Sequence, residues 1–410
     1  MKHVAVIGCG IVGLSTAIWL QRTGHRVTLI DKSGPASGAT FGNAGVLAAC
    51  SVVPVTSPGL TRKIPKLLLD RNSPLFLIWS YLPSLFPWIF RYLGHTNPDK
   101  VRRIVDALLP LTHDSLEQHR ALAAGTGAER FIHSGNYYFA YENRKAFESE
   151  KAIWELRRHA GFEWEEMTGA QFAESEPLYR GIGFAVRLER HGRIDDPGAY
   201  ARALARHACA HGAVLETGKV LGFEQDHSRI RAVVTDHGKV SCDAAVVAAG
   251  AWSAPLSGGL GLSIPLESER GYHIEMLNPS PMPSHPVMIS SGKFVVTPMN
   301  GRLRCAGVIE FGGLDAGAQG KPLDFLKRRL RSILPDIRHE GIEEWFGHRP
   351  APVDSIPYIG EVPGVKGAYL AFGHHHIGLT SGAKTGRLIA ELISTGHSSV
   401  PLDSYRIRRS

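Results

Sequence analysis

The sequence predicts an α/β protein opened by a nucleotide-binding βαβ unit. Three observations predict it: an apolar β-branched run at the N-terminus, a Gly-x-Gly-x-x-Gly turn directly behind it, and a helical stretch leading to a second apolar run that ends on an acid. His3-Val4-Ala5-Val6-Ile7 lacks polar alternation, as a strand buried on both faces of a parallel sheet does. Gly8-Cys9-Gly10-Ile11-Val12-Gly13 follows at once. Leu14, Ala17 and Ile18 recur at helical spacing, and Gly24 stands where that helix would stop. Arg26-Val27-Thr28-Leu29-Ile30 reads as the second strand and closes on Asp31.

Each residue has a mechanical reason. Gly8 permits the tight turn out of the strand. Gly10 removes a side chain, so that the amides around Ile11 and Val12 can approach a pyrophosphate. Gly13 lets helix and strand pack closely. The helix N-terminus offers unpaired N–H groups and a positive dipole end to the phosphates. Asp31, followed by Lys32, is placed to accept hydrogen bonds from a ribose diol and would repel a 2′-phosphate.

The bulk properties bound the rest. A length of 410 residues suits two lobes. The chain is 43% hydrophobic and 20% charged, with no repeat or low-complexity tract. Its five cysteines form no CxxC pair, which argues against a disulfide framework or a structural zinc and fits a reduced cytoplasmic compartment. No signal-peptide pattern precedes the first strand. The net charge of +8 is spread along the chain. A compact basic run stands at the tail, Arg406-Ile407-Arg408-Arg409, and no basic stripe with stacking aromatics speaks for nucleic acid. Residues 75–90 are uncharged and aromatic, too short for a span of ~20 residues and interrupted by Pro83 and Pro87. They read as helical pieces in a substrate-domain wall; the alternative is a patch resting peripherally on the inner face of the cytoplasmic membrane.

Three later segments extend the pattern. Residues 37–45 form a small-residue loop containing Asn43, Ala44 and Gly45. Ala244-Ala245-Val246-Val247 reads as a buried strand running into Ala249, Gly250 and Trp252. Tyr369-Leu370-Ala371-Phe372-Gly373 is another, followed by His374-His375-His376-Ile377-Gly378-Leu379-Thr380 and a helix from about Ser381. In this order the segments resemble the D-amino-acid oxidase family of FAD-dependent oxidoreductases, within it the D-amino-acid dehydrogenase branch. Residues 54–65, Gly347-His348-Arg349-Pro350 and Pro357-Tyr358-Ile359-Gly360 share in the resemblance. It implies a Rossmann-type FAD-binding domain of residues 1–95, 190–265 and 345–410, interleaved with an α+β substrate domain of 96–189 and 266–344 on a mixed or antiparallel sheet. It also implies FAD contacts from Val220, Ala249, Gly250 and Trp252. A second nucleotide site is not expected, because Gly258-Gly259-Leu260-Gly261 lacks the final glycine and the preceding strand. With no cysteine near residues 347–354, the FAD is expected to be non-covalent.

The resemblance implies oxidation of an amino acid: hydride leaves Cα for flavin N5, and the imine hydrolyses to a 2-oxo acid. Arg349, in the family's Gly-x-Arg-Pro, is the expected carboxylate ligand; a guanidinium fork matches a carboxylate and keeps its proton. Tyr272, in Glu269-Arg270-Gly271-Tyr272-His273, is a second candidate, alternatively a half-buried sheet tyrosine. The His374–His376 run is not read as a metal site, since adjacent residues rarely converge on one ion. Instead Gly378, Leu379 and Thr380 would offer amides to the reduced flavin, with His375 or His376 facing the substrate. Those histidines depart from the dehydrogenase pattern and point to a cyclic substrate such as D-hydroxyproline or D-proline. The electron acceptor would be a quinone or the respiratory chain. The rivals are an O₂-using oxidase, a secondary-amine oxidase of the sarcosine or L-proline kind, and a non-catalytic flavin subunit that relays electrons.

Overall fold

The computed structural model describes residues 1–55 and 73–407. Most of the 54–65 stretch and the end of the basic tail, Arg408 and Arg409, lie outside the described residues.

His3–Ile7 and Arg26–Asp31 pair in parallel, Val4 opposite Val27, and Ala244–Val247 joins on the other side, Val4 opposite Ala244. They belong to a six-stranded sheet ordered Tyr358–Glu361, Ala368–Phe372, Ala244–Val247, His3–Ile7, Arg26–Asp31, Val214–Thr217. All neighbours are parallel except the first pair. Its central strands, His3–Ile7, Ala244–Val247 and Ala368–Phe372, come together from distant parts of the chain because each is an apolar run that must be covered on both faces.

The helix Ile11–Arg22 covers one face, with Leu14, Ala17 and Ile18 buried, and stops where Gly24 turns at φ +81°. The last helix, Gly378–Thr395, lies against it. Glycine makes this contact possible: a Cβ on Gly386 would lie 2.3 Å from Ser15 Oγ. Ser15 Oγ donates to Ala383 O at 2.8 Å, which cross-braces the two helices.

A ten-stranded sheet carries the other half of the molecule. Its main path runs Gly341–Pro352, Leu266–Leu277, Arg302–Phe311, Phe294–Met299, Val287–Ile289, Ile132–Tyr141, Phe184–Ile194, Val46–Leu47. Pairing is antiparallel except where Val287–Ile289 meets Ile132–Tyr141 and Leu75–Leu77 meets Arg302–Phe311. The helix Gly320–Ile333 packs Phe325, Leu326 and Leu330 on Ile274, Leu303 and Cys305. A small antiparallel sheet spans residues 220–241.

Residues 75–90 differ in part from the helical reading. Leu75–Leu77 is a strand because its backbone pairs with the edge at Ile309, and Trp79–Tyr81 is a 3₁₀ turn. The helix Leu82–Leu93 then starts at Pro83 and continues through Pro87. Proline at a helix start removes an N–H that has no partner anyway. At Pro87 the lost bond is to the carbonyl of Pro83, on an exposed face of the helix. Leu85, Trp88 and Tyr92 are buried on one side, while Phe86 and Phe90 face out. Among the described residues no helix is long and apolar enough to cross a membrane.

Candidate active site

The C-terminal ends of the parallel strands, at Ile7, Ile30, Ala248 and Phe372, open onto a cavity of about 1460 Å³ that continues onto the larger sheet. In open α/β sheets ligands bind at this edge. The volume exceeds the ~300–1,000 Å³ of an ordinary small-molecule pocket, so an amino acid alone would leave it mostly unfilled.

At one end Gly8 turns at φ +107°, and a Cβ there would lie 2.4 Å from Ala248 O. A Cβ on Gly13 would lie 1.9 Å from Gly8 O, so this glycine serves helix–strand packing and does not line the cavity. Gly10, Ile11 and Val12 do line it, and Ile11 N–H is taken by Thr40 Oγ1 at 3.0 Å. Asp31 accepts from Cys9 N–H at 2.8 Å and Ser33 N–H at 2.9 Å, which fixes the carboxylate beside the glycine turn. Lys32 lies over the Trp252 ring at 3.6 Å, and Val220, Ala249 and Gly250 complete this wall.

The 37–45 loop forms the middle. Arg304 Nη1 donates to the carbonyls of Phe41, at 2.9 Å, and of Asn43, and His273 Nδ1 donates to Gly42 O at 3.1 Å. Buried Glu275 holds Arg304 at 2.9 Å. Three successive carbonyls are thus drawn toward the larger sheet, while Asn43 and Ala44 line the cavity. Gly45 does not line it; its φ of +77° and a Cβ–Ile194 O approach of 2.5 Å make it a packing glycine.

At the other end the strands Leu266–Leu277 and Gly341–Pro352 set Glu269 opposite Arg349 and Gly271 opposite Gly347. Arg349 faces the cavity and donates to Glu269 Oε1 and Val308 O, each at 3.1 Å. Gly271 clears its space: a Cβ there would lie 2.3 Å from Arg349 Nη2. Glu269 Oε2 takes His375 Nε2 at 2.6 Å. Burial pushes the Glu269 carboxyl up, yet His375 and then Arg349 hold it down at about 2. His375 sits edge-on to His376 with ring centroids 4.9 Å apart, and the Nδ1 atoms of both are buried and unpartnered among the described residues. The first turn of Gly378–Thr395 contributes Gly378, Leu379 and Thr380 to the wall and carries no acid. Tyr272 borders the cavity, but its hydroxyl donates to Glu310 Oε2 at 2.6 Å and its ring stacks on Phe346.

The residues present fit FAD. Two helix amino ends and a Cβ-free turn meet at one cavity, and its volume suits a dinucleotide with a small substrate. Sequence reasoning passed over Glu269, Arg304 and Trp345, whose ring comes within 1.9 Å of where a Gly42 Cβ would stand. The available signal was charge density: Glu267, Glu269, Arg270 and Glu275 share one strand that is buried nearly throughout. Buried charges persist only when paired.

The buried histidines predict a pH response. Burial holds His374 and His376 down to about 3 and His119 to about 4, against an ordinary 6.5. The unfolded chain therefore binds protons below pH 6.5 that the fold refuses, so stability falls as pH falls through that range. Glu269 acts in the same sense between 4.5 and about 2. Tm should decline steadily from pH 6.5 to 4.5 in a thermal scan; a flat or rising Tm would contradict the buried, neutral imidazoles.

The family model described as FAD dependent oxidoreductase matches residues 3–392. A D-amino-acid oxidase of Bradyrhizobium diazoefficiens is 42% identical over 98% of each chain. A D-amino acid dehydrogenase of Dechloromonas aromatica is 28% identical over 96% of this chain and 97% of the relative. The glycine oxidase structure from Geobacillus kaustophilus superposes with a TM-score of 0.79 at 23% identity over 100% of both chains. For the L-proline dehydrogenase structure from P. horikoshii the TM-score is 0.73 at 21% identity, over 99% of this chain and 96% of that one.

Proposed function

Because the chain belongs to the D-amino-acid oxidase family of FAD-dependent oxidoreductases, we propose that it oxidises a D-amino acid held by Arg349 beside bound FAD. The observation that carries this is the guanidinium of Arg349 facing the same cavity as the Gly8–Gly13 turn and the Gly378 helix end.

Bound FAD supplies the electron-pair acceptance that turns the amine into an imine. The chain's residues do the rest. Arg349 takes the substrate carboxylate, and Glu269 keeps the guanidinium from swinging away. The amides of Gly378, Leu379 and Thr380 present positive dipole ends where reduction places negative charge. Leu85, Trp88, Ile89 and Tyr92 exclude water from the substrate side. His376, held at about 3, cannot store a proton at neutral pH. It serves as a hydrogen-bond partner, and the substrate amine binds neutral. FAD contacts come from Gly8, Gly10, Ile11, Val12, Asp31, Lys32, Asn43, Ala44, Val220, Ala249, Gly250 and Trp252. Tyr272 acts on the substrate only through the shape of the wall.

Within this class a cyclic substrate such as D-hydroxyproline remains the candidate. His375 Nε2 is committed to Glu269, and the unpartnered Nδ1 atoms of His375 and His376 are the imidazole nitrogens left for a ring hydroxyl. The division into an FAD lobe of 1–95, 190–265 and 345–410 and a substrate lobe of 96–189 and 266–344 is part of the proposal. Val46–Leu47, Leu75–Leu77 and most of Gly341–Pro352 cross it to extend the larger sheet.

The test is an anaerobic screen of D- and L-amino acids, including D-proline, cis-4-hydroxy-D-proline and D-alanine, read by flavin absorbance. Bleaching by D-amino acids is expected, and acid should release the yellow colour into the supernatant. A flavin that no amino acid bleaches would leave a relay subunit instead. A membrane-side acceptor is supported by Trp79, Phe86 and Phe90, which are 62%, 64% and 74% exposed; aromatic rings favour the lipid–water boundary. Co-sedimentation with anionic vesicles should then occur and be lost in a Phe86→Ser/Phe90→Ser variant. No sedimentation of the unmodified protein would remove the membrane from the proposal.

A further inference from the structure

The cavity has a second wing along the larger sheet, lined by Tyr137, Phe139, Glu150, Arg157, Ser290 and Lys293. It joins the cofactor end along the chain leaving the 37–45 loop, since Asn43, Ala44, Val46, Ala48 and Ser51 line one continuous wall.

The charges of this wing do not balance. Lys293 is paired with Glu150, whose carboxylate also accepts from Tyr141 at 2.9 Å and Ser290 at 3.2 Å. Arg157 stands apart. It is 8% exposed, and its guanidinium lies 4.6 Å from the centre of the Phe139 ring and 4.4 Å from that of Trp154. Nε donates to Cys50 O at 3.4 Å. Among the described residues no carboxylate pairs with Arg157, and its terminal nitrogens donate to no acceptor. Cys50 does not supply the missing charge. Burial pushes its thiol up, while His191, then Arg157 and a backbone hydrogen bond together bring it below its ordinary value, and His191 is itself shifted upward. His191 Nε2 accepts from Cys50 N–H at 3.3 Å and its Nδ1 donates to Glu189 O at 2.8 Å, so the ring is the neutral imidazole and offers Arg157 no anion.

A buried guanidinium without an anion is costly. Two aromatic rings hold this one while its terminal nitrogens stay available, a geometry that accepts a carboxylate through two parallel N–H bonds. We propose that Arg157 is a second carboxylate subsite of the cavity, separate from the Arg349 clamp. For an acidic D-amino acid the occupant is the side-chain carboxylate. For a cyclic or neutral substrate it is a small free organic acid seated in the same wing. The first source rests on the proposed function; the second does not.

The experiment compares holoenzyme with Arg157→Gln and Arg157→Lys, with flavin content and Tm confirming that each variant folds. Arms are kcat/KM for D-glutamate, D-glutamine and D-alanine, and a malonate titration followed by Tm and by flavin absorbance. If the side chain is the source, Arg157→Gln should lower kcat/KM for D-glutamate about tenfold or more while D-glutamine and D-alanine change less than about twofold. Arg157→Lys, which keeps the charge and loses the fork, should fall between. If a free acid is the source, malonate should stabilise the wild type and perturb its flavin spectrum, and both effects should vanish in Arg157→Gln. Should neither D-glutamate kinetics nor malonate titration differ between the wild type and the folded Arg157→Lys enzyme or Arg157→Gln, the subsite does not exist. A wild type whose flavin no D-amino acid reduces would refute the proposed function alone, because the malonate arm still reads Arg157.

Discussion

Arg349→Ala should lower kcat/KM for the preferred amino acid by about a hundredfold to a thousandfold and leave FAD bound. Truncating one partner of a buried, hydrogen-bonded charge pair costs ~2–5 kcal/mol, and each ~1.4 kcal/mol is a factor of ten. The loss has two sources. The substrate carboxylate loses its fork, and Glu269, fully enclosed between Arg349 and His375, loses half its compensation. The second source predicts that Arg349→Lys recovers only part of the activity, because a lysine keeps the charge without the bidentate geometry. Steady-state kinetics should place most of the change in KM, and the flavin spectrum should be that of the parent. An unchanged KM would remove Arg349 from the substrate.

Gly8→Ala should yield protein without bound flavin and with a sharply lowered Tm. At φ +107° an L-residue is strained, and its Cβ would stand 2.4 Å from the backbone carbonyl of Ala248, which cannot move without displacing a central strand. Backbone strain of ~1–3 kcal/mol and overpacking of ~1–3 kcal/mol are large beside a total stability of ~5–15 kcal/mol. Gly10→Ala separates fold from cofactor. Its Cβ would meet only Thr40 Oγ1 at 3.2 Å, so the chain should fold, while the added methyl occupies the space where phosphate oxygens approach. Its Tm without FAD should match that of the parent, and the rise in Tm on adding FAD should be lost. Retention of flavin by Gly8→Ala would show that the turn tolerates a side chain.

The nucleotide unit was legible because its information is local. The strand at His3–Ile7, the helix stop before Gly24 and the strand ending at Asp31 each depend on residues within a few positions. Ala244–Val247 and Ala368–Phe372 were legible as apolar runs, though their adjacency to His3–Ile7 was not. The ten-stranded sheet was the opposite case. Val46 pairs with Arg193 and Leu75 with Ile309, partners that no local pattern announces. The same limit hid Glu269. Its place beside Arg349 follows from a register across 80 residues, and its bond to His375 reaches from the larger sheet to the 3₁₀ turn ahead of the Gly378–Thr395 helix. Tyr272 was picked for its phenol, but where the phenol points depends on Glu310, on a neighbouring strand. Arg157 offered no sequence signal at all, since an arginine on an amphipathic helix ordinarily meets water.

The cross-braced helices beginning at Ile11 and Gly378 aim both amino ends into one chamber with no acid of their own between them. In a chain newly made and still lacking its dinucleotide, these like-signed ends oppose each other, and an incoming diphosphate and isoalloxazine would relieve the repulsion. Flavin therefore belongs to the assembly of the molecule as much as to its turnover. Cells starved of riboflavin should accumulate less of the protein, and not merely less activity per molecule.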